Sequence, residues 1–256
     1  MLLIFKFLTT PFFIGAITLL EKRWGTWIAG LLGGFPVIAG PILAFLAIEN
    51  GSAFATSAAI SAISSIICLL CFGITYCWLS KKFKWYIAYP ISLMIWLLSA
   101  IIFASASLPL LIAFPLSCVL LLLAPYALPD PKEAIRDQNM PVNLLSRMIA
   151  GALLTLSITS LSSFIGPEWS GILSMFPVIG SVLAIFIHSS RGATKVAEMY
   201  KGMFKGLYSS LFYFYALAIF LPNISISFAI GIGILASIFV QIIFQYKNIF
   251  ERFSKP

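Results

Sequence analysis

The chain has 256 residues, 61% of them hydrophobic and 9% charged, with a mean hydropathy of +1.05 and a net charge of +8. A water-soluble domain of this length cannot cover that much apolar surface, so the composition excludes a soluble globular protein and makes lipid the solvent. Long apolar runs, rather than alternating polar and apolar residues, also exclude a membrane β-barrel and predict an all-α integral membrane protein.

Nine transmembrane helices are expected. The first, 3–20, lacks the basic start of a signal peptide, and Leu19-Leu20-Glu21 is a poor cleavage site, so it is kept as a helix. The second, 26–48, carries Gly33, Gly34, Pro36, Gly40 and Pro41. The third, 53–78, contains Cys68, Cys71 and Cys77. The fourth and fifth, 86–104 and 107–128, share one apolar stretch too long for a single crossing. It is split near Ala106-Ser107, where Pro109 can start a helix. The sixth to ninth span 144–164, 169–189, 197–221 and 225–245. All four cysteines, Cys118 included, fall inside spans and read as small hydrophobes. Two thiols at CxxC spacing leave a metal site incomplete, so no metal is expected.

Part of the chain occurs twice. At a constant offset of 141, the block 25–51 matches 166–192 at Gly25/Gly166, Gly30/Gly171, Leu32/Leu173, Phe35/Phe176, Pro36/Pro177, Val37/Val178, Ile38/Ile179, Phe45/Phe186 and Gly51/Gly192. Upstream the offset pairs Ile17-Thr18 with Ile158-Thr159, and downstream Ile101-Ile102-Phe103 with Ile242-Ile243-Phe244. This predicts a first four-helix repeat (1–105), a linker helix and cytoplasmic loop (106–143), a second repeat (144–245) and a basic tail (246–256). Five crossings separate equivalent helices, so the repeats are inverted.

Charge gives the orientation. Fifteen of the sixteen basic residues fall on one face of the nine-span arrangement, and Lys6 alone lies opposite. The positive-inside rule makes the rich face cytoplasmic, with the N-terminus outside and the C-terminus inside, in a bacterial inner membrane. The positive charge is then a topology signal, and nothing patterned for nucleic acid accompanies it.

The repeated second and seventh spans are the candidate substrate site. Proline removes a backbone donor and clashes with the preceding turn, and broken helices in inverted repeats aim backbone groups at transporter substrates. The candidates are Phe35, Pro36, Gly40 and Pro41 with Phe176, Pro177, Gly180 and Ser181. Glu49 and His188, at the ends of these spans, read as substrate contacts or interfacial anchors. Lys6 and Arg147 pair at the same offset and, with Lys201 and Lys205, read as gate or anion groups or as snorkelling cations. Gln241 and Gln245 offer cross-helix hydrogen bonds. Tyr208, Tyr213 and Tyr215 line a cavity or pack.

The segments WSGILSMFPVIGSVLAIFIH (169–188) and KGMFKGLYSSLFYFY (201–215) resemble the GlpM-type family of small bacterial membrane proteins, mainly at Gly171, Phe176, Pro177, Gly206 and Ser209-Ser210. The resemblance implies that a four-helix unit was duplicated and inverted by an added helix, and it supplies no substrate. Four-helix units in antiparallel pairs are also similar to the drug/metabolite transporter superfamily. Neither 3–20 nor 144–161 holds that superfamily's usual first-helix carboxylate.

Two functions follow: a secondary transporter or permease for a small metabolite or lipid-linked compound, or a non-transporting scaffold for envelope polysaccharide or lipid synthesis. An enzyme is not expected, with one histidine and no HExxH, phosphate loop or nucleophile motif. No cofactor is expected. The expected partners are membrane lipid, an unknown small molecule and a second copy through the linker helix.

Overall fold

The computed structural model describes residues 2–129, 144–162 and 166–253, with side chains described over 10–129, 144–155 and 166–243. Every described element is helical. The first half contains α1 (Leu2–Trp24), α2 (Thr26–Gly33), α3 (Ala39–Asn50), α4 (Ser52–Ser80) and α5 (Trp85–Ala106). A connecting helix, α6 (Leu110–Leu123), runs into a 3-10 turn at Ala124–Ala127. The second half contains α7 (Leu144–Ser162), α8 (Pro167–Ser174), α9 (Val178–Arg191), α10 (Ala193–Phe220) and α11 (Ile226–Phe253).

Local sequence explains the punctuation. Gly51 and Gly192, one of the offset pairs, have φ of 86° and 81° and separate α3 from α4 and α9 from α10. With ψ of 169° and 179° they occupy a region that is essentially restricted to glycine, where a side chain costs about 1–3 kcal/mol. Ser107, at φ 41°, ends α5, and Pro109 caps α6, so the long apolar stretch divides where its serine and proline predict. Pro41 sits in the first turn of α3, where its missing donor has no intrahelical acceptor to lose.

Among the described residues, six helical stretches are long and apolar enough to cross a bilayer: Ser52–Ser80, Trp85–Ala106, Leu110–Ala127, Pro167–Arg191, Ala193–Phe220 and Ile226–Ile243. The chain is therefore an all-helical, multi-pass membrane protein. Ala39–Asn50 and Leu144–Thr155 are apolar but shorter. The six differ from the expected nine for two reasons. A five-residue break cuts the second apolar stretch into helices of eight and twelve residues, and the side chains of α1 and α7 are described only in part.

Helices α4 and α10 form the centre. α5, α6 and α11 lie outside them and expose Leu98, Ile102, Leu111, Leu123, Leu235 and Phe239, the pattern of a lipid-facing surface. Contacts fix the directions. Thr155 donates to Thr10 (3.1 Å), Gly151 lies against Ile14, Gly15 against Met148, and Arg147 pairs with Glu21. Residue numbers rise along α1 as they fall along α7, so these two equivalent helices are antiparallel.

The halves interlock reciprocally: α2 packs on α10, and α8 packs on α4. A Cβ at Gly30 would lie 1.8 Å from the Met199 carbonyl oxygen, and one at Gly171 would lie 2.1 Å from that of Ala58. Gly30/Gly171 and Ala58/Met199 are both related by the offset of 141. Small residues let membrane helices touch backbone to backbone, where van der Waals contact replaces the missing hydrophobic drive.

One end of the molecule gathers the described basic residues. There the end of α1 meets the start of α7 and the end of α9 through Glu21, Arg147 and Arg191. The end of α4 meets the end of α9 through Tyr76 and His188, and Trp78 Nε1 donates to Ala127 O (2.9 Å) at the end of the connecting helix. α4 ends and α10 begins at this end, so this equivalent pair also runs in opposite directions.

Two helices run past their expected spans. α1 continues beyond 3–20 to Trp24 and so takes Glu21 into its last turn. α11 continues beyond 225–245 to Phe253, into the basic tail. The loop 130–143, with Lys132 and Arg136, the side chains of Lys6, Gln245, Lys247 and Arg252, and Lys255 lie outside the described residues.

Candidate functional site at two helix breaks

Both repeated helices break at Phe-Pro. α2 ends at Gly33 and α3 starts at Ala39, leaving Gly34–Ile38 outside helix. α8 ends at Ser174 and α9 starts at Val178, leaving Met175–Pro177. Proline removes a backbone donor and crowds the preceding turn, which favours a break without forcing one, since Pro11, Pro90 and Pro115 sit inside continuous helices; backbone groups freed inside a membrane must find other partners. At the first break Gly34 N–H donates to Gly30 O (3.1 Å), Phe35 N–H to Leu32 O (3.2 Å) and Gly40 N–H to Pro36 O (2.8 Å). At the second, Phe176 N–H donates to Leu173 O (3.0 Å). Pro177, at φ −72° and ψ 49°, makes a three-residue turn in which Val178 N–H donates to Phe176 O (2.7 Å).

Three carbonyls at or beside the breaks also accept from the opposite half. Ser210 of α10 donates to Gly34 O (2.7 Å), Tyr213 to Gly40 O (3.3 Å), and Ser65 of α4 to Ile172 O (3.1 Å). Each break is thus held by a hydroxyl from the long central helix of the other half.

The two breaks share a cavity of about 40 Å³, room for roughly two or three waters. Phe35 and Phe176 both line it, with Gly34, Ser174, Met203 and Ser210 among their neighbours. The C-terminal ends of α2 and α8 and the N-terminal turns of α3 and α9 all reach it, so carbonyl acceptors and first-turn N–H donors surround one small space. Its described lining is otherwise apolar and contains no charged side chain. Trp96 of α5 packs edge-on against Phe176, with centroids 4.9 Å apart, and fixes that ring from behind.

The candidates divide accordingly. Phe35, Phe176, Pro177 and Gly180 line the cavity. Pro36 forms the first break and Gly40 the turn after it, while Pro41 and Ser181 lie in α3 and α9 away from the lining. Glu49 is exposed at the end of α3. His188 is half-buried far from the cavity, where its Nδ1 lies 3.3 Å from the Tyr76 hydroxyl. Among the cations, Arg147 is buried in an ion pair with Glu21, Lys205 sits over Trp27 (5.7 Å), and Lys201 is half-buried in α10. Glu198 pairs with Lys195 (3.2 Å), one turn earlier than Lys201. Among the described residues the Gln241 amide is buried without a hydrogen-bond partner; Tyr215 stacks on Phe114, and Tyr213 holds the first break.

Sequence reasoning missed Ser65, Ser174, Ser210 and Met203. Serines are common in membrane helices, and their spacing does not say which carbonyl they face. It also missed the partnership of Glu21 with Arg147 and Arg191. The available signal was an acidic residue continuing an apolar helix, which inside a membrane calls for a named partner. No protein-family model, curated protein or solved structure matches the chain.

Proposed function

We propose that the chain is a secondary transporter or permease of the bacterial inner membrane, built as nine crossings in two inverted four-helix repeats around α6. It moves a small metabolite or a lipid-linked compound by alternating access. One observation carries the reading: equivalent helices of the two halves break at the same Phe-Pro and meet at one cavity. Opposite running directions in α1/α7 and α4/α10 support the inversion. The gathering of Lys22, Arg23, Arg147 and Arg191 at one end supports a cytoplasmic face there and an external N-terminus. Duplication with inversion of a four-helix unit is also what resemblance to the GlpM-type family implies.

Exposed backbone at the breaks supplies the binding groups, and Phe35, Phe176 and Met203 take the apolar part of the substrate. The cavity is far below the roughly 300–1,000 Å³ of a drug-sized ligand site, so the transport reading requires it to enlarge when substrate binds. The same tight apolar centre favours the second reading, a scaffold for envelope synthesis that moves nothing.

A thiol-accessibility experiment separates the two. Ser174→Cys, in a background lacking the four native cysteines, is treated with a membrane-impermeant maleimide from either side of oriented vesicles. A transporter shows labelling from both sides; a scaffold shows labelling from neither. Metabolite profiles of cells lacking or overproducing the protein then identify the compound to assay for uptake or export in vesicles.

A further inference from the structure

Beyond the helix breaks, the described part of the membrane domain holds one buried charged cluster. Glu21 ends α1, Arg147 begins α7 and Arg191 ends α9. Arg147 donates through Nη1 to Glu21 Oε2, and Arg191 Nη1 lies 3.2 Å from Glu21 Oε1. The Glu21 and Arg147 side chains are essentially inaccessible, whereas Arg191 is 17% exposed and opens the cluster to the basic end of the molecule. Arg147 also sits over the Phe186 ring (5.5 Å).

Three facts distinguish this cluster from a simple interhelical tie. First, two guanidiniums, that of Arg191 17% exposed, share one carboxylate, so among the described residues one positive charge of the cluster is unmatched. Burying charge is costly unless every charge is matched. Second, among the described residues, Arg147 Nε is buried with no hydrogen-bond partner, and Glu21 Oε1 receives no aligned hydrogen bond despite its ion pair. The guanidinium fork can hold a planar or tetrahedral anion through two N–H groups, and here part of it is unused. Third, the offset of 141 relates Arg147 to Lys6, but Glu21 to Ser162 and Arg191 to Asn50. A tie needed to hold antiparallel α1 and α7 together would recur at both ends of the pair. The sequence instead repeats the cation and not the acid.

We infer that Arg147 and Arg191 form a binding site for an anionic group, a carboxylate or phosphate, which the Glu21 side chain occupies in this closed state. A ligand anion enters past Arg191, displaces the Glu21 carboxylate and frees α1 from α7 at the basic end. The inference goes beyond the transport reading: the site binds an anion whether or not the protein carries it across the membrane. A soluble anionic metabolite and an anionic lipid headgroup offer the same chemistry.

The test measures inorganic phosphate binding calorimetrically to the purified full chain in nanodiscs of phosphatidylcholine. Glu21→Gln removes the internal competitor and should tighten phosphate binding about tenfold or more, because the site is no longer mostly self-occupied. Glu21→Asp keeps the charge but cannot span both arginines, and should give a smaller gain even if Glu21→Gln folds poorly. Adding Arg147→Gln to either variant should abolish the gain, while Lys82→Gln, an exposed cation between α4 and α5, should leave wild-type affinity unchanged. Adding phosphatidylglycerol to the nanodiscs identifies the source: loss of phosphate binding assigns the site to headgroups, and retention assigns it to soluble anions. The inference is overturned if neither Glu21 variant binds phosphate more tightly than wild type, or if the gain survives loss of Arg147. Either result would leave the labelling of Ser174→Cys, and the transport reading, untouched.

Discussion

Gly206 brings the backbone of α10 against that of α2, which makes it a sensitive probe of the fold. A Cβ there would lie 2.0 Å from the Leu31 carbonyl oxygen and 3.0 Å from the Gly34 Cα. Real Cβ atoms essentially never approach below 3.0 Å, so Gly206→Ala must push α2 about 1 Å away from α10. Nothing at the end of a flexible side chain can yield instead. The same displacement stretches the Ser210–Gly34 hydrogen bond from 2.7 Å to about 3.7 Å, beyond hydrogen-bonding range. Overpacking of this kind costs about 1–3 kcal/mol. Loss of one net hydrogen bond adds about 1 kcal/mol. The expected destabilisation is therefore about 2–4 kcal/mol for Gly206→Ala. Gly171→Ala, 2.1 Å from the Ala58 carbonyl in the other half, should cost a similar amount. An added Cβ at Gly231 would meet nothing within 4 Å, so Gly231→Ala should be neutral or slightly stabilising. Reversible unfolding of the purified protein in mixed micelles, followed by circular dichroism, gives the three values. If Gly206→Ala and Gly171→Ala unfold like Gly231→Ala, the reciprocal packing of α2 on α10 and α8 on α4 is wrong.

Four further outcomes are expected. Pro36→Ala and Pro177→Ala restore a backbone donor and should insert at wild-type levels while losing transport, whereas Cys68→Ala and Cys71→Ala should be nearly silent; vesicle uptake normalised to membrane expression checks this. Ser65→Ala leaves the Ile172 carbonyl without its cross-half donor and should lower stability by about 1 kcal/mol in the same unfolding assay. Gly192→Ala, at φ 81°, should cost about 1–3 kcal/mol although no atom lies within 4 Å of the added carbon, because the penalty is conformational. Topology reporters fused at residues 83, 138 and 250 should all read cytoplasmic, and an external signal at 138 would refute the inverted arrangement.

Much of the architecture was legible because it is written in residues with few structural alternatives. Phe35-Pro36 and Phe176-Pro177 mark both breaks, Gly51 and Gly192 mark both turns, and Ser107 with Pro109 divides α5 from α6. Each acts on its own backbone, but Pro11, Pro90 and Pro115 stay inside α1, α5 and α6, so it was recurrence at the offset of 141 that singled out Pro36 and Pro177. The length of each break was not legible. Five residues leave helix after Gly33 and three after Ser174, although Phe-Pro-Val-Ile is common to both. Gly33-Gly34 loosens the first segment, while the Pro177 turn closes the second at once. Partners were not legible either. Ser65, Ser210 and Glu21 act on atoms more than one hundred residues away, and an apolar helix does not announce which of its faces a distant carbonyl will meet.

The places where the two halves differ in sequence carry the fuller lesson. Position 65 is serine and its equivalent, 206, is glycine. Both face the same carbonyl of the broken helix opposite, Ile172 in one case and Leu31 in the other. In the first half a hydroxyl reaches across and donates to that carbonyl. In the second, the missing side chain lets the helices close until backbone meets backbone, and the donor moves one turn on to Ser210, which serves Gly34 instead. The α2–α10 contact is consequently the tighter and is lined with Gly30, Gly34, Gly202 and Gly206, whereas the α8–α4 contact has Gly171 alone among these positions. Both contacts bring backbone against backbone, at Gly30 on Met199 and at Gly171 on Ala58, but four glycines do so along α2–α10 and one along α8–α4. Added side chains therefore have more places to part the first pair of helices than the second.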